Sequence, residues 1–321
     1  MTVTIALAGD TMLGRGVARQ LADFGPRSLF APELKPVIDQ ADLFLLNLEC
    51  CVSARGHRAP LPGKAFFFRA PPSAADALAL LGVDAVTLAN NHALDYGPQA
   101  LADTRSLLAD AGIEAVGAGP DLARARAPLV LTAGGLRIGL LGIADHPEEY
   151  AAGPHTPGTA YADLHNGVPR WLTEAVRDLR QDTDVTLVTA HWGPNMATSP
   201  VRHVLRSAPA LLDAGATLIV GHSAHVFQGF TRHVLFDLGD FIDDYATDGR
   251  LRNDLGLLFL LTLDGASLRR VDAFPLGLRY CHTRPATPRE YAWIRHRLTT
   301  ACASLGTSVT AEDGHLMARW D

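Results

Sequence analysis

The chain has 321 residues, 48% of them hydrophobic, and a formal charge of −6, with a mean hydropathy of +0.10. That is enough apolar material for one large core, or a core with a small appendage. The acidic balance offers no polyanion-binding surface, so nucleic acid is excluded as the first partner class.

The start, "MTVTIALAGD", runs directly into a strand-like segment with no basic region and no long apolar region, so no signal peptide is expected. Apolar runs follow at 3–8, 43–47, 84–89, 137–143, 185–190, 216–220, 233–238 and 255–263. None is long enough to span a bilayer. Helical patterns lie between them at 71–82, 98–112, 169–181 and 200–215, several opening with Pro and closing at Gly. Continuous apolar runs alternating with helices predict an α/β protein whose strands are buried on both faces. From about residue 233 strands follow one another, which predicts an antiparallel edge or a second sheet, then a C-terminal helix from roughly 288 to 305. No internal repeat or linker interrupts the chain, so a single domain over 1–321 is expected. Lys35 and Lys64 are the only lysines in an Arg-rich chain, which reads as coding bias. Cys50, Cys51, Cys281 and Cys302 show neither zinc nor disulfide spacing, so a reduced, cytoplasmic protein is expected.

The residues that follow the apolar runs carry the chemistry. Gly9-Asp10 follows the first run, Asn47-Leu48-Glu49 the second and Asn90-Asn91-His92 the third. His191-Trp192-Gly193, Gly221-His222-Ser223-Ala224-His225 and Gly239-Asp240 follow later ones. The carboxyl ends of parallel strands form one edge where ligands bind, so these distant segments are predicted to converge. A lone His after a strand is more often a packing or capping residue than a ligand; the joint pattern is what points to a site. Carboxylate, amide oxygen and imidazole suit borderline divalent ions. The set is too large for one metal with open positions and sufficient for two. The segment "GDTMLGRG" has the spacing of a P-loop, but Arg15 and Gly16 stand where Lys and Ser/Thr are required. No G-x-S-x-G elbow is present.

In order, "GDTMLGR", "NLE", "LANNHALDYG", "AHWG", "VGHSAHVFQG" and "DLGDFI" resemble the CapA (capsule synthesis, poly-γ-glutamate type) family of the calcineurin-like metallophosphoesterase superfamily, over about residues 3–245. The resemblance implies a four-layer α/β/β/α sandwich of mixed sheets, with the C-terminal strands and helix at 255–305 completing it. It also implies two divalent metal ions, manganese, zinc or iron. Glu49 stands at the bridging position; Asp10 and His225 complete one metal; Asn91, His191 and His222 complete the other. His92 takes the outer-sphere acid or charge-stabilising role, with Asp95 orienting its imidazole, and Arg15 is an anion contact or a surface arginine of the first helix. Five features depart from the pattern. Met12 occupies the His of D-x-H, an extra residue separates His222 from His225, and Ala224, Asn195 and Asp240 stand where Pro, Glu and Asn are expected.

The function implied is a metal-dependent hydrolase acting on a phosphoester or on a γ-glutamyl or peptide-type amide, with a small-molecule or peptide substrate. Neither nucleic acid nor membrane is expected as a partner; biosynthetic partner proteins are. The alternative is a non-catalytic, metal-containing accessory protein of polymer or peptide tailoring. A γ-glutamyl ligase or transferase ranks last, since it needs an activated donor and the chain shows no nucleotide site.

Overall fold

The computed structural model describes residues 2–321, and two sheets organise it. The larger has ten strands. Thr2–Thr11, Leu43–Leu48, Ala85–Thr87 and Glu114–Val116 run side by side in parallel, and Asp240–Ile242 pairs in parallel with the first of them. Leu255–Asp264 pairs antiparallel with Thr2–Thr11 and is followed outwards by Ser267–Arg279, His315–Arg319 and Thr310–Glu312. The smaller sheet has five strands, in the order Val234–Leu235, Leu218–His222, Val185–His191, Leu136–Ala144 and Leu129–Ala133.

Alternation along each strand explains why the apolar runs are continuous. Side chains of successive residues leave opposite faces, and here both faces are covered. Val3, Ile5, Leu7, Leu43 and Leu45 share a core with Ile138, Leu140, Leu187, Leu218 and Val220 of the other sheet. Ala6, Ala8, Phe44 and Leu46 face the opposite way, onto Val17 and Leu21 of helix Arg15–Phe24, Leu78 of Ser73–Leu81 and Leu108 of Gly97–Asp110. Leu141, Ile143, Val188 and Ile219 cover the outer face of the smaller sheet with Leu172 and Val176 of Arg170–Gln181 and Val204 and Leu211 of Arg202–Ala214. Three separate cores between helices, sheet, sheet and helices make this the four-layer α/β/β/α sandwich expected.

Of the antiparallel edge or second sheet expected after residue 233, the C-terminal strands form the antiparallel edge of the sheet that contains the first strand. Two details differ from the sequence expectation. The run 233–238 yields only the two-residue edge strand Val234–Leu235, because Asp237 turns inwards and accepts hydrogen bonds from the backbone N–H groups of Ala224 and Gly239. Helix Arg15–Phe24 buries only Gly16, Val17 and Leu21, too few to show in the pattern. The C-terminal helix, Pro288–Ser304, sits where expected and is closed by a capping box of Thr287 and Glu290. No helix among the described residues is long and apolar enough to cross a membrane.

Register delivers the polar residues to one edge. Asp10 lies opposite Asn47 on one side and Asp240 on the other, and His191 lies opposite His222. Two glycines make the approach possible. A Cβ on Gly9 would lie 1.8 Å from the Gly239 carbonyl oxygen, and one on Gly221 1.9 Å from that of Phe236. Only glycine lets a neighbouring backbone pass this close to the residue that precedes Asp10 or His222.

Candidate metal centre

Asp10, Glu49, His225 and Asp240 each offer a ligand atom, and these atoms lie within 4.8 Å of one another. His225 Nδ1 is 2.8 Å from Asp240 Oδ1, 3.3 Å from Asp10 Oδ2 and 3.9 Å from Glu49 Oε2. His222 Nδ1 lies 3.5 Å from Asp10 Oδ1. All five side chains are buried. The loop carrying His225 is held in place by Ser223 N–H donating to Asp10 Oδ2 at 3.1 Å and Ser223 Oγ–H donating to Gly193 O at 2.9 Å. Ser223 and His225 adopt left-handed φ values of 104° and 58°, strain of the kind that folds retain at functional sites.

A ladder of amides fixes the rest. Asn90 Nδ2 donates to Asn47 Oδ1 (2.9 Å) and Leu48 O (2.8 Å), and Asn47 Nδ2 donates to Asp10 Oδ1 (2.8 Å). Of the two asparagines in "NNH", Asn90 is therefore a structural brace. Asn91 is the one whose Oδ1 is buried without a partner. Glu49 Oε1 and Oε2, His191 Nε2, His222 Nδ1 and Asp240 Oδ2 are likewise buried with no hydrogen-bond partner. His222 Nε2 is paired with Thr189 Oγ1 at 3.1 Å, which leaves its Nδ1 as the free face. Leaving one buried polar atom unsatisfied costs about 1–3 kcal/mol. A set drawn from carboxylate, amide oxygen and imidazole fits divalent cations as the occupant.

The electrostatics agree. Burial, then the charge of Asp10, pushes the Glu49 carboxyl well above the ordinary range. Burial also lifts Asp240 well up and Asp237 to about 8. Asp10 is the exception: burial acts to raise it, but the neighbouring imidazoles of His222 and His225 hold it well below the usual carboxylate value. His225 is opposed by burial yet raised by the charges of Asp240 and Glu49, whereas burial takes His191 well down. Concentrated negative charge in a dry pocket favours binding of a multivalent cation.

Beside this group stands a dyad. His92 Nδ1 is 2.6 Å from Asp95 Oδ2, and His92 Nε2 lies 3.8 Å from Glu49 Oε1. Asp95 is tied by Phe68 N–H (2.6 Å), Tyr150 O–H (3.0 Å) and Lys64 Nζ (3.2 Å). Burial takes His92 down to about 4, against the opposing hydrogen bond to Asp95. Phe68 stacks on the His92 ring at 4.0 Å, and Arg15 lies against Phe68 at 5.6 Å while pairing with Asp244 at 3.2 Å. Arg15 thus stands one aromatic ring away from His92.

Four groups in or beside the site escaped the sequence reading as site residues. Lys64 donates to Asn91 O at 2.6 Å; its signal was its rarity, as one of two lysines. Tyr245 packs edge-on against His225 at 5.4 Å with its hydroxyl buried and unpartnered; nothing in its neighbourhood of sequence marks it. Asp145 and His146 follow the run 137–143 just as the other polar residues follow theirs, so the same rule finds them. Met12, in the D-x-H position, is buried in the helix-side core, with Sδ accepting from Gly14 N–H at 3.1 Å. Asp240, opposite Asp10, supplies a donor on that side instead. Trp192 and Phe227 are core residues; the Trp192 indole donates to Phe236 O at 3.0 Å.

Fold and ligand-edge geometry together define a metallophosphoesterase-like protein with a candidate metal centre at its strand ends. Residues 4–245 match the model of the bacterial capsule synthesis protein family PGA_cap, and the chain belongs to that family. It is 30% identical to a probable polyglutamine synthesis accessory protein of Mycobacterium tuberculosis, over 98% of this chain and 95% of that one. It is 28% identical to the PGA biosynthesis protein CapA of Bacillus subtilis, over 75% of this chain and 63% of the relative. Among solved structures, a phosphatase from Mycoplasma pneumoniae superposes with a TM-score of 0.52 at 14% identity, covering 93% of this chain and 99% of that one. That likeness shows the fold.

Proposed function

We propose that the chain is a dinuclear metal-dependent hydrolase of phosphoester or γ-glutamyl or peptide-type amide bonds. The observation that carries this reading is the buried cluster of Asp10, Glu49, His225 and Asp240 beside an Asp–His dyad, with buried, unpartnered ligand atoms on Glu49, Asn91, His191, His222 and Asp240. Glu49 has two free oxygens and would be shared between the ions. Asp10, His225 and Asp240 would hold one ion; Asn91, His191 and His222 would hold the other. Manganese, zinc or iron fits this donor set. Two such ions supply Lewis acidity and a water acidified to near-neutral pKa.

The chain's own residues do the rest. Asp95 holds His92 Nδ1–H, so Nε2 is the atom that takes a proton and passes it to the leaving oxygen or nitrogen. Lys64 clamps Asp95 and the Asn91 backbone and keeps the dyad in register with the ligand loop. The unpartnered Tyr245 hydroxyl donates to charge that develops on the substrate. The relatives' descriptions, polyglutamine synthesis and PGA biosynthesis, favour an amide-linked substrate.

The test is turnover by manganese-reconstituted protein on p-nitrophenyl phosphate esters and on γ-glutamyl p-nitroanilide, wild type beside His92→Asn. The reading expects metal-dependent turnover of one class, reduced roughly 10²–10⁴-fold in the variant. A metal-loaded protein inert on both classes would instead support a non-catalytic accessory role, which the description of the mycobacterial relative favours.

A further inference from the structure

A second group of ligating side chains lies outside the buried centre. Asp145 follows the strand Leu136–Ala144, His203 is in the first turn of helix Arg202–Ala214, and His165 lies on the loop before helix Arg170–Gln181. One ligand atom from each of the three falls within 4.8 Å of the other two. His203 Nε2 is 3.0 Å from Asp145 Oδ2, and the His165 ring stacks on that of His203 at 4.1 Å. The carboxylate is already oriented, because Oδ2 accepts Gly193 N–H at 3.1 Å and Oδ1 is paired with His146 Nδ1.

The burial is graded in a way that suits an exchangeable ion. The Asp145 side chain has no exposed surface, that of His203 is 12% exposed and that of His165 63%. Together with His146 and Asn195 they line a cleft of about 570 Å³. The cleft adjoins the buried centre, since Asp145 N–H donates to His191 O at 3.0 Å and the His146 ring lies 5.2 Å from that of His191.

One carboxylate and two imidazoles form a three-ligand set for a borderline divalent ion with coordination positions left open. The pairing of Asp145 with His146 supplies the outer-sphere support such sites show. We propose that Asp145, His165 and His203 hold a third, shallow metal ion, of zinc type, whose open positions face the cleft and take an anionic oxygen of whatever enters it. This site stands whether or not the buried centre is catalytic.

The experiment is an equilibrium zinc titration of metal-free, tag-free protein, with bound ions counted by elemental analysis. Wild type is compared with His165→Ala, His203→Gln and Glu49→Gln. His165 is mostly exposed, so its replacement leaves the fold intact. The expected result is one zinc fewer in each histidine variant, while Glu49→Gln keeps that ion and loses zinc from the buried centre. Histidine variants that bind as many ions as wild type would overturn the proposal. The Glu49→Gln count fails or holds separately, so the two sites are judged apart.

Discussion

Glu49 is fully buried, and neither of its oxygens has a hydrogen-bond partner. In the metal-free chain that arrangement costs stability, so a neutral isostere relieves it. Glu49→Gln should leave the metal-free melting temperature unchanged or raised while abolishing most of the gain that manganese gives wild type; differential scanning calorimetry with and without metal reads both. Tyr245→Phe removes a hydroxyl donor and nothing else. It should lower kcat about 10²-fold with metal content unchanged, measured by steady-state kinetics beside elemental analysis. Asp10, Glu49, Asn91, His92, His191, His222 and His225 were legible in the sequence because each follows an apolar run that had to be a strand. Asp145 and His146 obey the same rule. Lys64 reaches the site from a loop distant in sequence and Tyr245 from the segment just after Asp240–Ile242; rarity marks the first, and only tertiary contacts reveal the role of either.

At the scale of elements, strand and helix positions followed from periodicity wherever an element is buried on both faces or carries an apolar stripe. Helix Arg15–Phe24 and the strand Thr310–Glu312 did not, since each shows water a large share of its surface, and the buried strand His315–Arg319 is too short and mixed to show a period. Helix Pro288–Ser304 buries Ile294, Leu298 and Cys302 in the inter-sheet core, and its entry depends on Thr287 accepting from Glu290 N–H at 3.4 Å. Thr287→Ala should cost about 1 kcal/mol, read as a lower guanidinium midpoint at unchanged m-value. Glu290 contributes as well. Its carboxyl is drawn down to about 2, chiefly by Arg284, so this contribution is present above the ordinary glutamate pKa and is lost as pH falls towards 2.

Over the whole molecule, the buried carboxylates make stability depend on pH and metal together. In the metal-free chain Asp237 is lifted to about 8, and Glu49 and Asp240 are raised with it. The folded chain then keeps protons that the unfolded chain has released, so stability falls as pH rises from about 4 through about 8. His225, raised when folded, acts in the same sense above its ordinary value. Asp10, lowered when folded, opposes this as pH falls below the ordinary carboxylate range, and His92 and His191, also lowered, oppose it below the ordinary histidine value of about 6.5. Metal-free protein should therefore melt higher at about pH 6 than at about pH 8.5, and manganese should remove most of that difference. A flat or rising metal-free profile would count against the buried charge.

The most direct test of the central claim is anomalous diffraction at the manganese edge from crystals grown with manganese. The account predicts two strong peaks flanking the Glu49 carboxylate, roughly 3.5–4 Å apart, one beside Asp10, His225 and Asp240 and the other beside Asn91, His191 and His222. No anomalous density at Glu49, in crystals that show the same side-chain arrangement, would contradict it.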